Sequence, residues 1–402
     1  MFQKLVSHNR DIQRLVEKGY AIGFDSNYLI IRDIPYLDAE GKLQIGAIVT
    51  TLVFTDQLHV SQQDHQVFFA GAHPHNIDGS KITNLGGGET TLALSSAARD
   101  VRVQRQFSNK PFKNGVWSTF QDFFEKVESY VRVISGPAIE RHAVTPLTFR
   151  VVEPGLEEPV FKIRDTLTSR AEISELSAKF KDDVIAIIGL GGTGAYVLDL
   201  MVKTPVKEVR GFDGDDYHVH NAFRSPGSLL PEQEFGRRKS DVYQERYESF
   251  RHGLLLKPEV VTAESIDDLR GVTFAFVCVD KGSSRKAIFD VLIALKIPFI
   301  DVGMGPKRRN GSLSGMLRVT YYSAEKAMKV MAKELSELSD PQDNIYRTNI
   351  QIGELNALNA ALAVVKYKKV RGFYTDEKPA YHFLFEIADM KIASLDEADD
   401  ED

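Results

Sequence analysis

Four glycines, Gly189, Gly191, Gly192 and Gly194, close an apolar run that reads VIAIIGLGGTG from Val184. An apolar strand entering a glycine turn and leaving as a helix is an anion-binding arrangement. The turn brings backbone close to a phosphate, and the helix start offers free N–H groups to it. Gly189 is expected to allow the turn and Gly191 and Gly192 to let the backbone approach a phosphate. Gly194 is expected to let helix pack on strand. Further polar groups follow: Asp213 and Asp215 after a second strand, then Asn221, Arg224 and Lys239. Asp280 ends another apolar strand, 273–279.

Taken alone, Gly189, Gly191 and Gly194 also satisfy the dinucleotide fingerprint, with Asp213 near the ribose-binding position, so an NAD reading is open. The residues beyond the second strand favour a triphosphate. Arg and Lys neutralise phosphate charge, and a carboxylate at a strand's C-terminal end can hold Mg²⁺.

With these residues in place, the stretch resembles the ubiquitin-activating-enzyme superfamily, which includes the bacterial ThiF and MoeB adenylyltransferases. The matching features are Gly189-Leu-Gly-Gly-Thr-Gly194, Asp213-Gly-Asp215, Asn221-Ala-Phe-Arg224, Lys239, Asp280 and Arg285. The likeness covers roughly residues 164–374. It implies a Rossmann-like, doubly wound, mostly parallel α/β sheet that binds ATP and Mg²⁺ and adenylates the C-terminal glycine of a ubiquitin-like protein. By the same resemblance Asp213, with Asp215, takes the ribose, Arg224 and Lys239 hold the phosphates, Asn221 orients phosphate or metal water, and Asp280 binds Mg²⁺. An Arg before the glycine strand, Arg164 or Arg170, would reach the neighbouring subunit's phosphates in a homodimer. A conjugating-enzyme-like protein is the implied second partner, and bacterial conjugation or antiviral defence the implied setting.

The chain departs from that pattern at cysteine. It has one, Cys278, within the apolar AFVCVD segment. Burial there would leave the thiol inert. Cysteine pairs for zinc are absent, so no zinc site is expected. The acyl group is then expected to pass directly to a partner's nucleophile, or to a hydroxyl of the chain. Thr348, just before a long helix, is the first candidate, with Ser339 and Ser336 behind it; a hydroxyl would need an activating base. Three rival functions remain at this stage. They are an NAD(P)-dependent oxidoreductase, a non-catalytic scaffold that docks a conjugating enzyme, and an adenylating enzyme for a peptide or small molecule.

Composition sets the frame. The 402 residues are 43% hydrophobic and 26% charged, enough for a sizeable core. A net charge of −6 argues against a nucleic-acid binder. No run is long and apolar enough for a membrane span and the N-terminus lacks a signal core, so a cytoplasmic protein is expected. Residues 1–152 read as an α+β domain with a partner-binding or regulatory role, 160–390 as the adenylation domain, and 391–402 as an acidic disordered tail. The last seven residues hold six acids. Within the first domain, a helix is expected over 118–134 with a core-facing stripe of Phe120, Phe123, Phe124, Val127, Val131 and Ile134. His73 and His75 read as turn residues rather than metal ligands. In the second domain, helices are expected over 165–181, 323–338 and from 354 to about 370, and a short strand over 259–262.

Overall fold

The computed structural model describes residues 2–25, 27–92, 94, 98, 100–113, 115–152, 160–163, 165, 167–168, 173–227, 231–340 and 350–396. The chain divides into two compact units, residues 1–159 with 163–175, and residues 160–162 with 176–402.

In the first unit, helices α1 (Phe2–His8) and α2 (Arg10–Lys18) lead into strands β1 (Ala21–Asp25), β2 (Tyr28–Leu37), β3 (Leu43–Thr51), β4 (Gln66–Ala70), β5 (Gly88–Glu89) and β6 (Arg105–Ser108). They form one antiparallel sheet in the order β1-β2-β3-β4-β6-β5. Period-two alternation divides its side chains: Leu29, Ile31 and Ile48 face one core, Tyr28, Ile30 and Val49 another. Helix α3 (Phe123–His142) covers the first face, burying Phe123, Val127, Val131 and Ile134. The core-facing stripe is therefore as expected, but the helix starts at Phe123. There the Asp122 side chain caps it by accepting from the Glu125 N–H at 2.7 Å. His73 Nδ1 lies 2.8 Å from the Pro74 carbonyl, and His75 is buried and bridges to Lys81. Among the described residues no group of three or more His, Cys, Asp or Glu is arranged to hold a metal.

The second unit is built on β7 (Val184–Ile188), α4 (Gly192–Val202), β8 (Glu208–Phe212), α5 (Lys239–Tyr247), β9 (Leu254–Lys257), β10 (Phe274–Val277), α6 (Gly282–Ala294), β11 (Phe299–Met304), β12 (Met316–Tyr322), α7 (Gly353–Val370), β13 (Ala380–Glu386) and β14 (Lys391–Asp396). The eight strands run β9-β8-β7-β10-β11-β12-β13-β14. The first five are parallel and the last three add antiparallel. Ile185 and Ile187 face the core under α4 and α7, while Val184, Ala186 and Ile188 face the one under α6. Two-sided burial explains why β7 and β10 read as continuous apolar runs. The chain winds outward from β7 through β8 to β9, then crosses back to β10. The gap between the carboxyl ends of β7 and β10 is thus the topological switch point, where such sheets bind ligands.

Four expectations about elements change. The edge strand is Leu254–Lys257 rather than 259–262, because backbone pairing with β8 sets it, with Leu254 turned in and Leu255 out. Helix 323–338 shrinks to Ala327–Met331, because Ser336 serves a buried polar network instead. Of 165–181, the described helical residues are 167–168, Ser174–Ser177 and a 3₁₀ turn at Ala178–Phe180. Residues 391–396, expected in a disordered tail, form β14 on the free edge of β13. Residues 397–402 lie outside the described residues. No helix among the described residues is long and apolar enough to cross a membrane.

One consequence for stability arises here. His382 on β13 is buried, with Nδ1 2.9 Å from Thr320 Oγ1. Burial, helped by the Arg318 charge, pushes its pKa from 6.5 down to about 4. The unfolded chain therefore binds a proton below about pH 6.5 that the fold excludes until about pH 4. Stability is fully present above that window and is lost as the pH falls through it. Urea midpoints measured from pH 7 to pH 4.5 should fall for the wild type and fall less for His382→Gln.

Candidate nucleotide site

Gly189 ends β7 with φ +91, and a Cβ there would stand 2.8 Å from the Cys278 carbonyl oxygen. A side chain on Gly194 would come within 1.8 Å of the Gly189 oxygen. These two glycines are required by the turn itself. Gly191 has nothing within 4 Å of its open face, and it precedes the free N–H groups of α4. Gly194→Ala should therefore prevent the unit from folding, read as lost soluble protein or a collapsed melting transition. Gly191→Ala should melt like the wild type and weaken ATP binding alone, measured by calorimetry.

Asp213 stands just past β8 and closes the turn. Its Oδ2 accepts the Leu190 N–H at 2.7 Å, and its Oδ1 accepts the Asp215 N–H at 2.9 Å. Lys239 returns to it across a long excursion pinned by an antiparallel bridge between Asp216 and Arg238. The Lys239 N–H donates to the Asp215 carbonyl at 3.1 Å. Its ammonium lies 3.1 Å from Asp213 Oδ1 and 2.8 Å from Asp215 Oδ2. Asp213 and Lys239 are both buried, whereas the Asp215 side chain is exposed. The hydrogen bond from Lys239 holds the Asp215 carboxyl below the usual range.

Asn221 is 1% exposed, and its Oδ1 accepts the His218 N–H at 2.8 Å, capping the short helix Val219–Ala222. Its carbonyl accepts from Arg224 N at 3.1 Å. Asn221 thus braces the turn that presents Arg224. The Arg224 guanidinium is half-buried, and its Nε is buried with no hydrogen-bond partner. Burial pushes its pKa down, opposed by the charge of Asp280. A buried orphan donor on the loop that follows β8 fits an anionic ligand.

Asp280 follows β10 and is exposed. One carboxylate together with substrate phosphates is the usual protein share of a Mg²⁺ site, so Asp280 fits such a role. Arg285, one turn into α6, does not point to a ligand. Its Nε pairs with Asp301 Oδ1 at 3.0 Å and its Nη2 donates to the Val279 carbonyl at 2.6 Å, beside Asp280. Asp301 is wholly buried and also accepts from Arg318 at 2.6 Å and Ser336 at 2.8 Å. Ser336 is therefore a buried structural hydroxyl. Cys278 is half-buried against the turn, and burial pushes its thiol pKa well up. Asp340 caps α6, accepting from Gly282 N at 2.8 Å, with Ser339 exposed beside it. Thr348, Arg164 and Arg170 lie outside the described residues.

Two features escaped the sequence reading. Asn356, in the first turn of α7, accepts from Thr193 Oγ1 at 2.9 Å and donates to the Arg224 carbonyl at 3.4 Å. Its signal was a pair of Asn residues, 356 and 359, on the helix face that continues with Ala360, Ala363 and Val364. The second is a hairpin, Lys307–Arg309 with Ser312–Ser314, growing from the carboxyl end of β11. A cavity of about 620 Å³ is lined by Arg308, Gly311, Ser312, Leu313 and Ile350.

Residues 168–393, more than half of the chain, match the family model described as "ThiF family". The chain belongs to the ThiF family. Membership supports ATP-dependent adenylation by a nucleotide-binding, Rossmann-like domain. The preceding residues 10–166 match a model described as "Domain of unknown function (DUF6791)", fused ahead of the ThiF domain. Among solved structures the chain is similar to PaaA, at 16% identity over 55% of this chain and 75% of that one, with a TM-score of 0.42. It is also similar to E. coli MccB, at 15% identity over 55% of this chain and 64% of MccB, with a TM-score of 0.40. MccB has also been solved with ATP, matching at 15% identity over 55% of this chain and 65% of MccB, with a TM-score of 0.39. No curated protein matches the chain.

Proposed function

We propose that this ThiF-family chain adenylates the C-terminal glycine of a small ubiquitin-like protein. The observation that carries the reading is the orphaned, buried Nε of Arg224, whose guanidinium feels the charge of Asp280, together with the open face of Gly191 at the start of α4. A carboxylate oxygen of the carrier attacks the α-phosphorus of ATP. The bond from that phosphorus to the β-phosphate bridging oxygen breaks, giving acyl adenylate and pyrophosphate.

Arg224 and the N–H groups at the start of α4 stabilise the phosphate charge as pyrophosphate leaves. Asp213 and Asp215 offer acceptors to the ribose. Lys239 turns from Asp213 to a phosphate, which frees a carboxylate lone pair for the ribose hydroxyl. Asp280 holds Mg²⁺, which supplies charge neutralisation of the triphosphate. The cavity beside the 307–314 hairpin receives the carrier's tail.

The acyl group passes to a conjugating-enzyme-like partner or to Thr348, without a cysteine thioester. Cys278 is half-buried against the turn and burial pushes its thiol pKa well up, which supports this. A cytoplasmic homodimer, with Arg170 reaching across, completes the reading.

ATP–pyrophosphate exchange with small glycine-terminated ubiquitin-like proteins tests it. Partner-dependent exchange that Asp280→Ala abolishes and Cys278→Ala retains is the expected result. ATP binding without exchange for any such partner removes the ubiquitin-like substrate. Binding of NAD in place of ATP removes adenylation altogether.

A further inference from the structure

We propose that Asn356 is a positioning residue that holds the glycine turn and the Arg224 loop in register for ATP. The inference rests on the ATP-binding reading above. Asn356 is 1% exposed. A polar side chain so deeply buried is costly unless its groups are matched, and here each matched group belongs to a different part of the site. Its Oδ1 takes the Thr193 hydroxyl at 2.9 Å, at the second residue of α4. Its Nδ2 donates to the Arg224 carbonyl at 3.4 Å. One amide therefore spans the helix start that offers N–H groups and the loop that offers the guanidinium. One helical turn on, Asn359 Nδ2 donates to the Gly303 carbonyl at 3.0 Å, which seats α7 on the end of β11.

The glycine motif carries an independent mark of this contact. A Cβ on Gly192 would stand 2.4 Å from Asn356 Nδ2, 2.6 Å from its Cγ and 2.7 Å from its Oδ1. Gly191, by contrast, borders open space. Gly192 is thus glycine because Asn356 occupies the place of its side chain, and Gly191 is the position left open to a ligand. The two neighbouring glycines serve different purposes. Pre-set donors act on phosphate without reorganising only if their relative position is held, and Asn356 is the side chain that joins them.

The test measures ATP binding to the full chain by calorimetry, with no protein partner present. Asn356→Leu and Thr193→Val should each raise the ATP Kd about tenfold, the scale of one lost buried hydrogen bond. The double variant should bind no worse than Asn356→Leu alone, because that change already removes the bond that Thr193→Val deletes. Gly192→Ala should bind ATP poorly, and Gly192→Ala with Asn356→Ser should recover part of that loss by vacating the space.

Unchanged ATP affinity with a lowered ligand-free melting temperature would overturn the proposal, since Asn356 would then only brace the fold. Additive losses, or no recovery in the Gly192→Ala pair, would also overturn it. Wild-type protein that binds no ATP sinks the adenylation reading and this inference together. Wild-type binding with unaltered variants sinks this inference alone.

Discussion

Arg224→Ala should lower ATP–pyrophosphate exchange by about 10²–10³-fold, the loss seen when one preorganised donor to developing charge is removed. It should leave the ligand-free protein at least as stable as the wild type. The reason is the state of the side chain before ligand arrives. Its Nε is buried without a partner and burial depresses its pKa, so the fold holds a charged group that is incompletely compensated. Removing it relieves a cost in the free protein and abolishes a contact needed in the transition state. Lys239→Met should behave differently. Its ammonium is the counter-charge for buried Asp213, so its loss should lower both exchange and melting temperature. Exchange rates and thermal melts on the same two variants separate the cases. A melting temperature for Arg224→Ala that drops as far as that of Lys239→Met would show Arg224 to be structural.

Asp301→Ala should destabilise the ThiF domain by about 3–5 kcal/mol, the cost of breaking a buried ion pair. For a domain of this size that corresponds to roughly 10 °C in melting temperature. Asp301 is wholly buried and accepts from Arg285, Arg318 and Ser336. Without it two guanidinium groups face each other with no carboxylate between them. The same change loosens the arm of Arg285 that grips the Val279 carbonyl next to Asp280, so ATP affinity should fall as well. Replacing the cluster together, with Arg285→Met, Asp301→Leu and Arg318→Met, should recover most of the stability, because desolvated charges are then absent rather than unpaired. Chemical denaturation of the single and triple variants reads the difference. Equal stability of the two would mean that the carboxylate contributes little.

These effects show how far residue spacing carries. The glycine positions were legible because a turn that admits no side chain leaves a direct trace, and Gly189 and Gly194 are where a Cβ would collide. The parallel sheet was legible because two-sided burial leaves unbroken apolar runs. Asn221 and Arg285 stand out by spacing as site residues, yet their side chains brace neighbouring backbone and Asp301. A side chain's partner depends on what the chain brings beside it, which spacing does not encode. The strand at Leu254–Lys257, the shortened helix at Ala327–Met331 and the edge strand at Lys391–Asp396 were missed for a related reason. Each is short, and its state depends on a neighbouring strand or a buried network.

By itself, then, the sequence determined the elements whose cause is local: the glycine turn, the buried parallel strands, the long helix after 353, and which polar residues gather at one sheet edge. Tertiary structure alone decided how those polar groups are used. It put Lys239 on Asp213, left Arg224 Nε without a partner, and set Asn356 against Gly192 across more than 160 residues of chain. Hydrogen bonds and ion pairs are short-ranged and directional, so which pairs form is settled only once packing has fixed the distances.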